Sequence, residues 1–371
     1  MRGSIAIWSE ATPIEAAGYA PKIEAHINIW RNSDRKSGQG HFDLLDIGIL
    51  FQEVRALRRL SISLPFTMDQ ANIIDLFEVM RDDTTLSAIF NETLEGRRKS
   101  QSEDFFEAFH TERKCVQCFV QRCRRGADWT LRKLDDGDDT GHVIVIGPTF
   151  FDRIRAAVGD HYLRLRVMVP IGQHNGFVSD NRPRDSAFLS TISTSEIIEF
   201  RLNEMRNFST ALRKELKEVD CRLIDISAVH YFLIRDMTVE MTQSHMNFRK
   251  MRRLEPRIWD NYLTGFPGFF PDRLIIYHWA SFAKSTTEPV ENFTALATFR
   301  ARYTGSLAVY AAVIVALGAL GSAAQAIGAE SLKCALAWIG YSAGPISSNL
   351  LVVLLLATVL YGAVKFNTKN R

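Results

Sequence analysis

Near the start of the chain stands the segment Lys22-Ile-Glu-Ala-His-Ile-Asn-Ile-Trp30, in which apolar residues occupy every second position from Ile23 to Ile29. Successive side chains of a β-strand point to opposite faces, so this alternation predicts a strand with one buried face. Two further runs, 42–51 and 57–66, are rich in β-branched and aromatic residues and predict more strands of a sheet. The first third of the chain is therefore predicted to be β-rich.

The remainder of the chain up to residue 284 is predicted to mix strands with a few helices. Strands are predicted at 129–134, 142–146, 162–169, 221–226, 229–234 and 274–279. Helices are predicted at 69–80, 150–158 and 195–217, the last because apolar residues recur at helical spacing after the capping residue Ser195. The predicted fold class is α+β, with a β-rich body.

The composition is that of a folded chain. The 371 residues include 45 basic and 42 acidic side chains, 46% apolar residues and five cysteines, which excludes a disordered polyelectrolyte and a disulfide-stapled mini-protein. Residues 303–371 hold a single acidic residue, Glu330, and four basic residues, so the net charge of +3 belongs to this tail. The body is electrically balanced, and its charge indicates no ligand class.

The tail carries two long uncharged runs. From Gly305 to Ala329 there is no charged side chain, and at about 1.5 Å per residue this run is long enough to cross the roughly 30 Å hydrocarbon core of a membrane. A second run predicts another span at 347–366, with Glu330 and Lys333 in the connection. Because basic residues flank the outer ends of both runs, both termini are predicted to be cytoplasmic. The sequence thus predicts a two-helix transmembrane hairpin in a multi-pass protein of the cell inner membrane.

The chain is predicted to have three parts. A cytosolic β-rich sensor domain covers 1–284 and is predicted to divide into two subdomains near 155–160. A linker and a juxtamembrane helix follow at 285–302. The two-helix transmembrane region covers 303–371.

Small residues recur at i, i+4 spacing on the first predicted transmembrane helix. They include Ala312, Ala316, Gly318 and Ser322. In lipid, small residues let helix backbones approach closely. The pattern predicts either oligomerisation through this helix or packing of the two helices of one chain against each other.

Cys115, Cys118 and Cys123, with His110 upstream, are potential soft ligands for zinc. Their spacing matches no regular zinc ribbon, and no second Cys or His pair follows. Reduced thiols on a strand or helix are therefore the favoured interpretation, and no metal ligand is predicted.

Asp135-Asp-Gly-Asp-Asp139 is an acidic segment between two predicted strands. Paired carboxylates in such a hairpin hold two Mg²⁺ ions in nucleotide cyclases and polymerases, but Asp and Gly also favour a plain turn. We favour the turn, because no phosphate-cradling segment accompanies it. The sequence also has no nucleophile elbow, Walker loop, dinucleotide fingerprint or His-Glu-x-x-His motif, so no enzyme activity, catalytic residue or cofactor is predicted.

A pair of arginines marks the candidate ligand site in Tyr162-Leu-Arg-Leu-Arg-Val-Met168. Alternation places Arg164 and Arg166 on one face of a strand, about 7 Å apart, a spacing that suits two phosphates of a cyclic dinucleotide. The following long loop adds His174, Arg182 and Arg184. The alternative is that these arginines face solvent on an ordinary strand.

A second basic cluster follows later in the chain. It comprises Arg249, Lys250, Arg252, Arg253 and Arg257, beside four methionines. The pattern predicts an amphipathic helix that lies on anionic lipid or on a partner chain, although methionines at this spacing also occur in protein cores.

A β-rich sensor followed by a two-helix hairpin resembles the two-transmembrane β-domain effectors of bacterial cyclic-nucleotide anti-phage defence systems. The resemblance covers the whole chain in layout and includes no diagnostic motif. It implies that a cyclic nucleotide from a partner synthase binds the cytosolic domain. It also implies that the chain forms a homo-oligomer, contacts membrane lipids and disrupts the inner membrane by pore formation, with no direct binding of nucleic acid. The alternatives are a membrane-anchored enzyme for a nucleotide or phosphorylated substrate, and a noncatalytic membrane scaffold.

Overall fold

A computed structural model describes most of the chain. The described residues are 4–11, 21–32, 42–97, 103–136, 139–170, 176–181, 193–217, 221–285, 287–302, 305–338 and 340. They divide into two compact units, Met1–Arg184 with Ser193–Arg302, and Asp185–Ile192 with Tyr303–Arg371. The first unit holds all the strands that the structure describes, and the second holds one long helix.

The strands of the first unit are numbered in chain order. They are β1 (Ala6–Ala11), β2 (Lys22–Trp30), β3 (Phe42–Glu53), β4 (Leu57–Leu64), β5 (Ile73–Asp75), β6 (Leu94–Arg97), β7 (Phe105–His110), β8 (Cys115–Gln121), β9 (Trp129–Asp136), β10 (Asp139–Ile146), β11 (His161–Pro170), β12 (Val178–Asn181), β13 (Ser193–Leu202), β14 (Cys221–Leu223), β15 (Asp225–Asp236), β16 (Val239–Ser244), β17 (Lys250–Arg253), β18 (Leu274–Phe282) and β19 (Phe293–Arg302). The α-helices are α1 (Asp83–Phe90), α2 (Pro148–Ile154), α3 (Thr210–Lys217), α4 (Asp260–Leu263) and α5 (Gly305–Trp338).

The strands form three sheets. The largest has the order β17-β18-β15-β2-β3-β11-β8-β7-β6, with β5 paired to β11. A five-stranded sheet has the order β14-β1-β4-β10-β9, and a four-stranded sheet has the order β12-β13-β19-β16. The body is therefore β-rich, as predicted, and the strand predicted from the alternating segment at 22–30 is confirmed as β2.

Both faces of the large sheet are covered at its centre. On β2, Ile23 and Ile27 point into the main apolar core, where Ile47 of β3 and Leu165 of β11 join them. The opposite face is also covered, by a smaller apolar cluster around Trp30. Polar side chains on that second face, including Arg164 and Arg166 of β11, are consequently buried or partly buried.

The predicted helix at 195–217 is wrong over its first half. Residues 193–202 form β13, which pairs along its length with β19, and α-helix is confined to Thr210–Lys217, after a short 3-10 turn at Met205–Asn207. Apolar residues four apart, such as Ile198 and Leu202, satisfy both a period of 3.6 and a period of 2. In β13 both are buried on the same face, so the strand period prevails.

Two other predicted helices are also replaced. Residues 293–302, predicted to be a juxtamembrane helix, form strand β19, in which Phe293, Ala295, Ala297 and Phe299 are buried at strand spacing. Residues 69–80 form short 3-10 turns around strand β5. In both cases pairing with a distant strand outweighs the local helical spacing.

The predicted two-helix transmembrane hairpin is wrong. Helix α5 continues through 330–333, where the connection between two spans was predicted, and Glu330 and Lys333 form an i, i+3 ion pair of 2.8 Å on it. Within the residues that the structure describes, no helix combines the length and the apolar character needed to cross a membrane. This finding contradicts the predicted multi-pass location in the inner membrane. The second predicted span, 347–366, lies outside the described residues.

Part of the predicted oligomerisation stripe can be located on α5. Ala312, Gly318 and Ser322 are exposed, and the Ser322 hydroxyl donates to the Gly318 carbonyl at 3.0 Å. The side chain of Ala316 lies outside the described residues. Exposure of these small residues does not test whether the helix mediates oligomerisation, which stays a prediction.

Candidate functional site

A cavity of about 380 Å³ lies against the second face of the large sheet. Its floor comes from β2, β15 and β18, and its walls come from helix α1, Trp259 and the basic strand β17. Volumes of roughly 300–1,000 Å³ are usual for small-molecule sites. The cavity therefore has room for a small ligand.

Strand β2 supplies the polar floor because its side chains alternate. Glu24, His26 and Asn28 project from the face opposite the isoleucines that enter the main core. The parallel neighbour β15 places His230 directly beside His26, and the register of β15 with β18 places His278 beside Phe232. Three histidines from distant parts of the sequence thus meet on one sheet face.

The histidines interact with one another. The distance between His230 Nδ1 and His278 Nε2 is 3.2 Å, and the ring centroids of His26 and His230 lie 5.1 Å apart. Burial lowers the pKa of His230 to about 4, and repulsion from His26 acts in the same direction. Burial also lowers the pKa of His278 to about 4, together with repulsion from His230. Both imidazoles are therefore neutral near pH 7.

Glu24 is a partly buried carboxylate beside these rings. Its Oε2 lies 3.8 Å from His26 Nε2, and its Oε1 accepts a hydrogen bond of 2.8 Å from Gln52 Nε2. The interaction with His26 holds the pKa of Glu24 below its usual range, against the opposing effect of burial. Glu24 is therefore ionised at neutral pH.

The predicted arginine pair is brought together on β11, and both side chains are buried. Arg166 Nε and Nη2 donate to the two carboxylate oxygens of Asp46 at 2.7 and 3.1 Å, and its Nη1 donates to the Tyr262 carbonyl at 2.7 Å. Arg164 donates to the hydroxyls of Tyr162 and Tyr262, each at 2.8 Å. Asp46 thus neutralises charge that burial would otherwise make costly.

Of the predicted ligand-binding residues, Arg164 lines the cavity. Arg166 lies deeper, with its hydrogen bonds made inside the protein. His174, Arg182 and Arg184 lie outside the described residues. The alternation that placed both arginines on one face is correct, but that face is enclosed rather than turned to solvent.

Two buried polar atoms at the cavity have no hydrogen-bond partner among the residues that the structure describes. They are Asn28 Oδ1 and Trp259 Nε1, on side chains that are 6% and 2% exposed. Buried polar groups are ordinarily paired, and leaving one unpaired costs about 1–3 kcal/mol. Asn28 and Trp259 both line the cavity, so its wall contains one unpaired acceptor and one unpaired donor.

Three members of the second basic cluster lie at the rim of the cavity, and the helix predicted for the cluster is wrong. Residues 250–253 form edge strand β17, which pairs with β18. Lys250 and Arg252 line the cavity, as does the preceding Arg249, whereas Arg253 donates to the Asp272 carbonyl. Arg252 also forms an ion pair of 2.6 Å with Glu255, so Arg249 and Lys250 are the more available cations.

The sequence motifs with metal-binding potential do not form this site. Cys118 and Cys123 are buried free thiols, and Cys115 is exposed. The acidic segment lies at the end of the β9–β10 hairpin, where Asp136 pairs with Asp139, and the two residues between them lie outside the described residues.

The histidines and Glu24 were missed because they are scattered along the sequence. The one local signal is that Glu24 and His26 stand two apart on a predicted strand and so share a face. Nothing in the local pattern reveals that His230 and His278 lie beside them, since that depends on the pairing of distant strands.

No protein-family model matches the chain, and no curated protein matches it. Among solved structures, the chain is similar to the Fcho1 Mu homology domain of Danio rerio with a bound Eps15 peptide, at 8% identity, covering 77% of this chain and 82% of that chain, with a TM-score of 0.15. A likeness this weak carries no argument about fold or function.

Proposed function

We propose that this chain binds a small phosphorylated ligand with an aromatic ring, of the cyclic-nucleotide type, in the cavity on the large sheet. The observation that carries the proposal is the cationic rim over a cavity whose buried wall offers an unpaired donor and an unpaired acceptor. The proposal retains the ligand class predicted from the sequence and changes the residues that bind it.

The cationic side chains around the cavity support the presence of a phosphate group in the ligand. Arg249 and Lys250 are exposed at the mouth of the cavity, and Arg164 is buried in its wall. Charged groups around a low-dielectric cleft concentrate the electrostatic field and attract ions of opposite sign. Guanidinium and ammonium groups also form the strong, charge-assisted hydrogen bonds that phosphates accept.

The aromatic side chains of the cavity wall support the presence of an aromatic ring in the ligand. Phe90, Phe232 and Trp259 supply aromatic surface to the cavity. Stacking of a base on an aromatic side chain contributes about 1–3 kcal/mol. Trp259 Nε1 can donate to a ring acceptor and Asn28 Oδ1 can accept from an exocyclic amine, which a nucleobase provides and a simple phosphate does not.

The volume of the cavity limits the size of the ligand. At about 380 Å³ the cavity is at the small end of the usual range for ligand sites. This volume favours a mononucleotide, or one nucleotide of a larger cyclic molecule whose remainder lies at the rim. A sensing role in anti-phage defence rests on this ligand class, whereas disruption of a membrane is no longer proposed.

Isothermal titration calorimetry tests the proposal. The chain is titrated with 3′,5′-cyclic AMP, with a cyclic dinucleotide and with inorganic pyrophosphate, in buffer that contains EDTA. We expect saturable binding of at least one nucleotide, and a loss of about tenfold or more in affinity for Arg249→Gln with Lys250→Gln, since a charge-assisted contact is worth more than 1.4 kcal/mol. Trp259→Phe, which keeps an aromatic ring but removes the indole N–H, should weaken binding of the nucleotides and leave binding of pyrophosphate unaffected.

Arg253→Gln is the matched control. Arg253 is exposed on the same edge strand but does not line the cavity, so its replacement should leave affinity within about twofold of wild type. Absence of saturable binding for all the nucleotides, or an equal loss in the control, would show that the cavity is not a nucleotide site.

A further inference from the structure

We infer that Glu24, His26 and His230 form a site for a divalent transition metal, with Zn²⁺ the expected ion, at the floor of the cavity. Each of the three side chains offers one ligand atom, and these atoms all lie within 4.8 Å of one another. The site is independent of the proposed nucleotide, because its ligands are not the residues assigned to phosphate or base.

The pairing of β2 with β15 brings the three ligand side chains together. Glu24 and His26 are two apart on β2 and therefore share a face. His230 stands opposite His26 in the parallel pairing of β15 with β2, so the two imidazoles meet between adjacent strands. Bonds of about 2.0–2.2 Å to a tetrahedral ion separate the ligand atoms by roughly 3.3–3.6 Å. Small side-chain rotations on a fixed sheet close the remaining gap.

The donor set selects the kind of metal. Two imidazole nitrogens and one carboxylate oxygen suit Zn²⁺ and other first-row transition ions, and the same combination occurs in catalytic zinc sites. Ca²⁺ and Mg²⁺ prefer sites made almost wholly of oxygen atoms.

Outer contacts orient the ligands. His230 Nδ1 lies 3.2 Å from His278 Nε2, which leaves His230 Nε2 for the metal. Glu24 Oε1 accepts from Gln52, and Gln52 Oε1 accepts a hydrogen bond of 2.8 Å from the Ser227 hydroxyl. Ligating histidines and carboxylates in metalloproteins are usually held by such outer partners.

Three protein ligands leave a fourth position open, and all three ligand residues line the cavity. A water molecule or an anionic oxygen can occupy it. With Arg249 at the rim and the metal at the floor, the cavity presents positive charge from two directions, which favours an anion at the open position.

The test uses the full chain, stripped with EDTA, dialysed free of chelator and titrated with Zn²⁺ alone by calorimetry. We expect one equivalent to bind, and the affinity to fall about tenfold or more in His26→Ala and in His230→Ala, with circular dichroism confirming that each variant remains folded. His245→Ala is the control, because His245 is exposed and lies outside the cavity. Its affinity should match wild type.

Titration with Co²⁺ identifies the ligand atoms. A site of nitrogen and oxygen gives visible absorption bands without the intense near-ultraviolet band of cobalt bound to thiolate. Absence of metal binding, a thiolate band that disappears in Cys115→Ser, or unchanged affinity in both His26→Ala and His230→Ala would overturn the inference. Since the nucleotide titration contains EDTA, failure of the metal site and failure of the nucleotide site are observed separately.

Discussion

Asp75, on the short strand β5, is a mostly buried carboxyl with two backbone partners. Its Oδ2 accepts from the Cys123 N–H at 2.8 Å, and its Oδ1 accepts from the Phe77 N–H at 3.0 Å. Burial nevertheless raises the pKa of Asp75 to about 6, because the cost of removing a carboxylate from water exceeds the effect of these hydrogen bonds. The folded chain therefore holds a proton at Asp75 at a pH where the unfolded chain does not.

The stability contributed by this proton depends on pH. It is fully present below about pH 4, the pKa of an unfolded Asp, and is lost as the pH rises through about 6, which amounts to roughly 3 kcal/mol. We expect the free energy of unfolding of wild type, relative to Asp75→Asn, to fall by this order between pH 4 and pH 7. Urea unfolding at several pH values measures it. Asp152→Asn, at an exposed position, should show no such difference, and a flat profile for Asp75→Asn against wild type would contradict the prediction.

Strands that carry alternating apolar residues or long β-branched and aromatic runs are the ones that the sequence predicts well, although β3 and β11 are buried on both faces. β2, β3 and β11 were predicted within two residues of their observed ends, because one face of each enters the main core. β13 was mistaken for a helix, since its apolar residues also fit a helical spacing. The arginine face of β11 was predictable for the same reason, whereas the cluster around His230 was not, because it depends on which distant strands pair.

Close packing between β3 and β11 depends on Gly48. A Cβ atom at this position would lie 2.1 Å from the Tyr162 hydroxyl and 2.9 Å from Arg164 Nη1. Gly48→Ala should therefore displace Tyr162 from Arg164 and lower the free energy of unfolding by about 1–3 kcal/mol, as overpacking does. Chemical denaturation measures the change. Gly147→Ala is the control, because its Cβ would meet only the Asp128 carbonyl at 3.7 Å, and a loss below about 1 kcal/mol is expected. Equal stability of Gly48→Ala and wild type would contradict this account.

Across the first unit, a buried ion cluster ties the four-stranded sheet to the large sheet. Glu196 of β13 pairs with Arg31, which follows β2, and with Arg235 of β15 at 2.7 Å. Arg31 also pairs with Asp43 of β3. The four side chains are at most 5% exposed, so the arrangement depends on charges that solvent does not screen.

Removal of the central carboxylate should loosen this connection. Glu196→Gln leaves two buried guanidiniums with less compensating charge, and we expect the free energy of unfolding to fall by about 3–5 kcal/mol. Hydrogen exchange should accelerate along β13 and β19 more than along β2 and β3, because the four-stranded sheet loses the contact that the large sheet retains through Asp43. Glu199→Gln provides the control on the same strand, since Glu199 pairs locally with Arg201 at 2.5 Å and is more exposed, so a loss below about 1 kcal/mol is expected. If the two variants lose the same stability, or if exchange accelerates equally in both sheets, the cluster does not hold the sheets together.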